Sequence, residues 1–500
     1  MTQDCSAYPE KVPTGTPGLD AVLQGGLLRG RLYLLQGDPG TGKTTIALRF
    51  LLSSLERGER ALYITLSETR AELEAVARSH GWDIARLPIC DLSSTEASLR
   101  AETQYTIFHP ADVELGETTQ AILGQVESVL PRNVIFDGLS EMRLLSGDPL
   151  RYRRQMLSLK QYFADKGITV LLLDDRSTPL AEIQPESIVS GIIDLEQFTP
   201  IYGGTRRRLF VQKVRGATYL GGFHDYDIHT GGAVVYPRLA IDTHRRPEMV
   251  PSGAVPSNIS GLDQLLGGGL EYGTTTLILG PSGVGKSTVA LQYVAAALTG
   301  GQRAAVYTFD EVLHTLFARA EKLCAGFRDF THTGHLRVVQ VDPAELTPGA
   351  FADDVRRAVE ENDTRIVVID SLNGYMSSMP EERFVSTHLH ELFAFLNQRG
   401  VITILVVAQH GSVSAPEASV DISYLADTVL LMRYFEANAE ICQAIGVFKK
   451  RTGPHERTLR ELRITETGIQ IGEPLRQFWG IMTGVPQYGS SLTAPQERPA

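Results

Sequence analysis

The sequence predicts an α/β chain in which one domain is written twice, each copy a mostly parallel sheet flanked by helices. Three observations carry that expectation. A stretch of about fifty residues recurs in one unbroken register. Strand-length apolar runs alternate with helix-length segments, the pattern of a sheet covered on both faces. Each copy also sets a glycine-rich loop between such a run and an amphipathic helix.

The repeat is legible residue by residue. Thr16-Pro-Gly-Leu-Asp20 with Gln24-Gly-Gly-Leu27 returns as Ile259-Ser-Gly-Leu-Asp263 with Gly267-Gly-Gly-Leu270, which maps Gly18 to Gly261, an offset of 243. The same offset takes Gly37 to Gly280, Lys43 to Lys286, Gly58 to Gly301 and Glu68 to Glu311. Tyr33-Leu-Leu35 and Leu277-Ile-Leu279 read as short buried strands entering the glycine loops. The helix after each loop carries its apolar stripe at Ala47, Leu48, Leu51, Leu52 and Leu55, then at Ala290, Leu291, Val294, Ala295 and Leu298. Further strands are expected at Ala61–Thr65, Val134–Phe136 and Thr169–Leu173, matched by Ala304–Thr308, Ile366–Ile369 and Thr403–Val407.

These elements divide the chain into domains at residues 10–243 and 257–474. Residues 1–9 form a leading segment, and the proline-bearing stretch 244–256 suits an extended linker. A tail follows at 475–500, in which Phe478-Trp-Gly-Ile-Met482 is apolar enough to dock and Gly489 to Ala500 is expected to be disordered.

Composition narrows the class. With 43% hydrophobic and 21% charged residues the chain is an ordinary soluble globular protein. Cys5, Cys90, Cys324 and Cys442 stand far apart with no paired spacing, which suits free thiols in a reducing compartment. The start has no basic region followed by an apolar stretch, and no apolar run approaches the ~20 residues of a membrane helix. A cytoplasmic enzyme is expected, with no membrane partner. The net charge of −11 argues against a dedicated duplex-DNA binder.

The chemistry sits in the glycine loops and the carboxylates near them. Gly37, Asp38, Pro39, Gly40, Thr41, Gly42, Lys43 and Thr44 fit GxxxxGK[ST], and so do Gly280, Pro281, Ser282, Gly283, Val284, Gly285, Lys286 and Ser287. Such a loop turns consecutive backbone N–H groups inward around phosphate oxygens, and the helix that follows, carrying Thr45 or Thr288 in its first turn, adds its dipole. Lys43 and Lys286 would neutralise the β/γ-phosphates of ATP, while Thr44 and Ser287 would offer a hydroxyl to Mg²⁺. Two matches in register, each in strand–loop–helix context, are the strongest signal in the sequence.

Asp137 and Asp370 end apolar strands, where a carboxylate either holds the Mg²⁺ water shell or caps the next helix; the upstream loops favour the metal. Leu66-Ser-Glu-Thr69 and Phe309-Asp-Glu-Val312 follow the second strand of each copy. Glu68 in the first copy, and Asp310 and Glu311 in the second, are the candidate bases for activating water. Ser67 aligns with Asp310, so the first copy has one acidic candidate and the second has two. Lys213-Val-Arg215 and Lys449-Lys-Arg451 recur 76 residues after Asp137 and 79 after Asp370. Solvated strand faces are the ordinary reading, but the recurrence suggests a phosphate-directed role, reaching into a neighbouring subunit. Arg206-Arg-Arg208, absent from the second copy, reads as a solvated hairpin edge. His388 and His390 lie on opposite sides of a helix turn, which argues against a metal site.

Taken together, the paired entry motifs, loops, acidic pairs and late K-x-R resemble the KaiC family along residues 10–475, which implies two tandem RecA-like P-loop NTPase domains. The resemblance further implies a homohexameric double ring with ATP at subunit interfaces, slow Mg²⁺-dependent hydrolysis, Ser/Thr autophosphorylation in the second ring, and regulatory protein partners. By that resemblance Ser67-Glu68 replaces two glutamates and Asp310-Glu311 keeps two carboxylates. Ser423 matches the phosphoacceptor serine, Tyr424 replaces the neighbouring threonine, and Arg451-Thr452 replaces Arg-Gly. The leading expectation is an ATP-hydrolysing, self-phosphorylating signalling protein. A nucleotide-switched scaffold that barely hydrolyses ATP is the alternative. A recombination ATPase on single-stranded DNA is disfavoured by the acidic balance and the lack of a basic or aromatic binding segment.

Overall fold

Leu32–Gly37 and Thr275–Gly280, the runs that enter the two glycine loops, are the middle strands of two nine-stranded sheets. The computed structural model describes residues 10–93, 110–176, 185–200, 203–239, 251–342, 344–377, 382–408, 424–466, 468–482 and 487–488. They fall into two units, Met1–Arg238 and Leu239–Ala500.

In the first unit the sheet runs Ile89–Asp91, Ala61–Thr65, Asn133–Asp137, Thr169–Asp174, Leu32–Gly37 and Gly191–Phe198, all parallel. It continues antiparallel through Arg206–Val214, Phe223–His229 and Gly232–Tyr236. The second unit repeats the order. Leu336–Gln340, Arg303–Thr308, Thr364–Asp370, Ile402–Ala408, Thr275–Gly280 and Thr428–Ala437 are parallel. Glu440–Lys450, Arg460–Thr465 and Gly468–Pro474 then follow antiparallel. Every strand expected from the apolar runs is present, from its expected length (Ala61–Thr65) to three residues longer (Leu32–Gly37, Thr275–Gly280 and Thr364–Asp370).

The continuous apolar runs follow from burial on both faces. Tyr33 and Leu35 pack with Ile46, Ala47, Phe50 and Leu51 of the helix Lys43–Glu56. Leu32 and Leu34 pack on the other side with Tyr152, Met156, Leu159 and Phe163 of the helix Pro149–Asp165. In the second unit Ile278 meets the helix Lys286–Thr299, and Leu277 meets Leu389, Leu392 and Leu396 of the helix Glu382–Gln398. Because six strands are parallel, their carboxyl ends share one edge, and the loops leaving that edge build the site.

A short antiparallel pair of strands flanks each domain's first helix, Leu19–Val22 or Ser260–Leu266: Lys11–Val12 with Leu27–Leu28, and Ala254–Val255 with Leu270–Glu271. Among the described residues no helix is long and apolar enough to cross a membrane. Cys90, Cys324 and Cys442 are free.

One reading changes and another gains a location. Arg206-Arg-Arg208 does not form a solvated edge, because the strand Arg206–Val214 lies inside the sheet between two antiparallel neighbours. Arg206 is buried there, and Arg208 stacks 4.2 Å from the Phe223 ring centroid while its Nε donates to Glu196 at 2.8 Å. The apolar tail segment has a seat: Phe478–Trp479 pairs with Gln487–Tyr488, and Ile481 is buried against Phe435 and Ala444, beside Leu459 and Leu475. The segment 489–500 lies outside the described residues.

That seat is small, so it should open on its own. Ile481→Ala removes a buried side chain worth about 2–5 kcal/mol in such settings. Limited proteolysis is expected to cut the tail beyond Leu475 faster in the variant, while the main thermal transition stays put. Equal cutting rates would show that Ile481 does not hold the tail.

Candidate functional site

The glycine loops take the shape that phosphate binding needs. Gly42 and Gly285 have φ of 90° and 99°, a left-handed region that side chains rarely adopt. A Cβ on either would stand 2.4 Å from the Cδ1 of Ile228 or Ile464, so only glycine fits. The next-to-last strand of each sheet, Phe223–His229 or Arg460–Thr465, leans on the loop through that isoleucine. Tyr226 Oη donates to Thr41 O at 2.6 Å, and in the second domain Tyr434, on the parallel strand Thr428–Ala437, reaches Ser282 O at 3.5 Å. Lys43 Nζ donates to Gly37 O and Asp38 O at 2.8 and 3.2 Å and pairs with Asp175 at 2.6 Å. Lys286 Nζ donates to Pro281 O at 2.8 Å, and burial lowers its pKa. Thr45 and Thr288 are buried behind the loops, Thr45 Oγ1 lying 3.2 Å from His80 Nε2.

The carboxylates are carried by a loop that is built alike in both copies. Thr65 Oγ1 donates to Glu68 O at 2.7 Å and accepts from Glu68 N at 3.0 Å; Thr308 does the same for Glu311 at 3.2 and 3.3 Å. Leu66 N and Phe309 N each donate to the strand-end aspartate's carbonyl, Asp137 O and Asp370 O, at 2.8 Å. This ties the glutamate loop to the end of the aspartate strand.

The side chains then diverge. In the first domain Tyr63 Oη donates to Asp137 Oδ2 at 2.6 Å, and Thr44 Oγ1 donates to Glu68 Oε1 at 3.3 Å. Burial pushes Asp137 up to about 7, against the Tyr63 hydrogen bond that favours its charged form. Burial also raises Glu68, and its Oε2 is buried with no hydrogen-bond partner among the described residues. In the second domain burial again raises the pKa of Asp370, and the nearby Ser287 hydroxyl favours its charged form. Glu311 Oε2 pairs with Arg319 at 2.7 Å, and Asp310 Oδ2 accepts from Ser371 Oγ at 2.5 Å.

These residues fit Mg²⁺ and a polyphosphate. Hard oxygen donors converge beside each loop, and Asp137, Glu68 and Asp370 stand raised by burial, as expected of sites that gain from a cation. Mg²⁺ characteristically needs only one or two protein carboxylates beside phosphate and water. Among the described residues no group of three or more His, Cys, Asp or Glu forms a metal cluster. His388 is half-buried, its Nδ1 2.5 Å from Tyr375 Oη, and desolvation pushes it down to about 4.

The basic pairs lie elsewhere. Lys213 is level with Ile192 and Lys449 with Val429, at the end of each sheet opposite its own glycine loop. There Lys213 donates to Glu186 O and Arg215 to Ser187 O, while Lys449 donates to Ala426 O and Arg451 to Tyr424 O. Neither pair meets the loop of its own domain. Ser423 lies outside the described residues; Tyr424 beside it is exposed.

Sequence reasoning named the loops and carboxylates but not their partners Tyr63, Asp175, Arg319 and Ser371. A signal existed for two of them: at the offset of 243 Tyr63 faces Val306 and Val76 faces Arg319, the positions where the copies differ in chemistry.

Comparison with known proteins agrees with the repeat. The family model of the KaiC ATPase matches residues 12–240 and again 255–476. The circadian clock oscillator protein KaiC of Thermostichus vulcanus is 27% identical over 495 residues, covering 97% of this chain and 93% of the relative. The circadian clock protein KaiC3 of Synechocystis sp. is 25% identical, covering 96% and 95%, and KaiC of Synechococcus elongatus is 25% identical, covering 95% and 92%.

The raised Asp137 makes a pH prediction for the nucleotide-free protein. Between the ordinary carboxylate value of 3.8 and about 7 the folded state binds more protons than the unfolded state, so this group's contribution to stability falls as pH rises. Asp137→Asn removes the titration. The variant's first-domain melting temperature is therefore expected to climb relative to wild type from about pH 4 to about pH 7 and then level off. A difference that does not change with pH would mean that Asp137 is not held neutral.

Proposed function

The chain belongs to the KaiC ATPase family, and from that premise we propose that it binds and hydrolyses Mg-ATP in both domains and in the second transfers phosphoryl groups to its own Ser423. One observation carries the reading: a glycine loop, a strand-end aspartate and a loop glutamate meet at the same sheet edge twice. Lys43, Thr44, Asp137 and Glu68 form the first set; Lys286, Ser287, Asp370, Asp310 and Glu311 form the second.

The loop N–H groups and the lysine bind the β- and γ-phosphates. Thr44 with Asp137, and Ser287 with Asp370, would hold Mg²⁺, which when bound offsets charge on the transferring phosphoryl group. Glu68 takes the proton of the attacking water in the first domain, and Asp310 or Glu311 takes it in the second. In autophosphorylation a bond forms between Ser423 Oγ and the γ-phosphorus. The bond from that phosphorus to the β,γ-bridging oxygen breaks, ADP leaves, and the hydroxyl proton passes to the same carboxylate.

The placement of Lys213, Arg215, Lys449 and Arg451 away from their own loops supports a homohexamer in which each pair serves a neighbour's nucleotide. Residues 10–243 and 257–474 are the proposed domains, working in the cytoplasm with regulatory protein partners.

Two experiments test this. With the second site silenced by Lys286→Ala, Glu68→Gln is expected to lower phosphate release by about 10²–10⁴, a barrier increase of ~3–5 kcal/mol. Unchanged turnover would remove Glu68 from the chemistry, and no phosphate release despite ATP-dependent assembly would favour the nucleotide-switched scaffold. Incubation with γ-labelled ATP is expected to label wild type but neither Ser423→Ala nor Lys286→Ala. Label that survives Ser423→Ala moves the acceptor elsewhere.

A further inference from the structure

Two exchanges between the copies rewire the second site. The first domain has Tyr63 on the strand beside Asp137 and Val76 in the apolar face of the helix Arg70–Ser79; the second has Val306 and Arg319 at those positions. In the first domain the Tyr63 hydroxyl occupies Asp137, which leaves the Thr44 hydroxyl to Glu68. In the second domain no tyrosine among the described residues bonds to Asp370, the Ser287 hydroxyl is the one that favours its charge, and Glu311 pairs instead with Arg319, 2.7 Å away. A third exchange accompanies these. Ser67 and Gly138 of the first domain become Asp310 and Ser371, whose side chains bond to each other, with Gly374 N donating to the same serine oxygen at 3.3 Å.

We propose that Arg319 is a positioning residue found only in the second site: it holds the Glu311 carboxylate away from the Ser287 hydroxyl and so leaves Asp310, oriented by Ser371, as the proton acceptor there. An ion pair with an arginine fixes a carboxylate's direction, so Glu311 is held by Arg319 where Glu68 is held by the loop's own Thr44. Asp310 gains what Glu311 loses, a hydroxyl donor that orients one oxygen and leaves the other to accept a proton. The inference rests on the reading of the second site as an ATP site and settles which of its two acids works.

The test measures phosphate release by the full chain carrying Lys43→Ala, so that only the second site turns over. There Asp310→Asn is expected to lower kcat by about 10²-fold or more with little change in KM, and Glu311→Gln by about tenfold or less. Adding Arg319→Val, the first domain's residue, is expected to recover about tenfold or more of the Asp310→Asn loss, because the released Glu311 takes over. Adding Glu311→Gln to that pair abolishes the recovery. Arg319→Lys keeps a cation and is expected to keep the wild-type dependence on Asp310; nucleotide binding by each variant confirms that it folds. An Asp310→Asn loss of the same size with and without Arg319→Val overturns the assignment, as does a larger loss from Glu311→Gln than from Asp310→Asn. Turnover in Lys43→Ala that ignores Lys286→Ala overturns the second ATP site itself, and the inference with it.

Discussion

A carboxylate at the end of a buried strand loses its water without gaining a neutral surrounding, and both domains are arranged about that fact. Asp137 and Asp370 sit where burial opposes ionisation, and each is met by a hydroxyl that favours the charge. Tyr63 supplies it in the first domain and Ser287 in the second. The choice of hydroxyl propagates outward. It decides whether the loop's own Thr or Ser is left for the glutamate, and so whether that glutamate needs a cation from elsewhere. One desolvated group thus sets the hydrogen bonds of three others.

Sheet direction gathers these groups. Six parallel strands deliver every carboxyl-terminal loop to one edge, and the three antiparallel strands that follow do two further jobs. Near the edge they lean on the glycine loop, Ile228 and Ile464 filling the space beside Gly42 and Gly285. At the far end the same strands present Lys213 and Lys449, each on a carbonyl of the segment preceding a parallel strand. An antiparallel strand that begins beside one nucleotide must end beside something else, and this directional constraint makes a site shared between copies a natural use of the fold.

The parts set by backbone geometry were legible in the sequence. Glycine loops, buried parallel strands and strand-end aspartates each need particular residue types at particular spacings, and the repeat confirmed each against its twin. The Arg206-Arg-Arg208 run misled because three arginines read as solvent-facing, whereas the aromatic rings of Phe223 and Phe198 and the carboxylate of Glu196 make an interior strand position tolerable for Arg208. Tyr63 and Arg319 were invisible for a different reason. A tyrosine in an apolar strand reads as core, and an arginine on an amphipathic helix reads as its solvated face. Only the aspartate or glutamate placed opposite by the fold reveals either as part of a site.

The two copies separate what a duplicated site must retain from what it can alter. The threonine that braces the glutamate loop, the backbone bond from that loop to the aspartate strand, and the glycine beside an isoleucine recur in both copies, the last two at matching distances. These contacts fix where atoms stand. In each exchange one copy carries a side chain that reaches a carboxylate: Tyr63 where the other has Val306, Arg319 where the other has Val76, and Ser371 where the other has Gly138. Such changes leave the cradle for phosphate intact and alter which acid is charged, which is oriented and which is occupied. Proton transfer responds steeply to those properties while phosphate binding responds mainly to the loop, so two sites that grip the same nucleotide can differ in what they do with it.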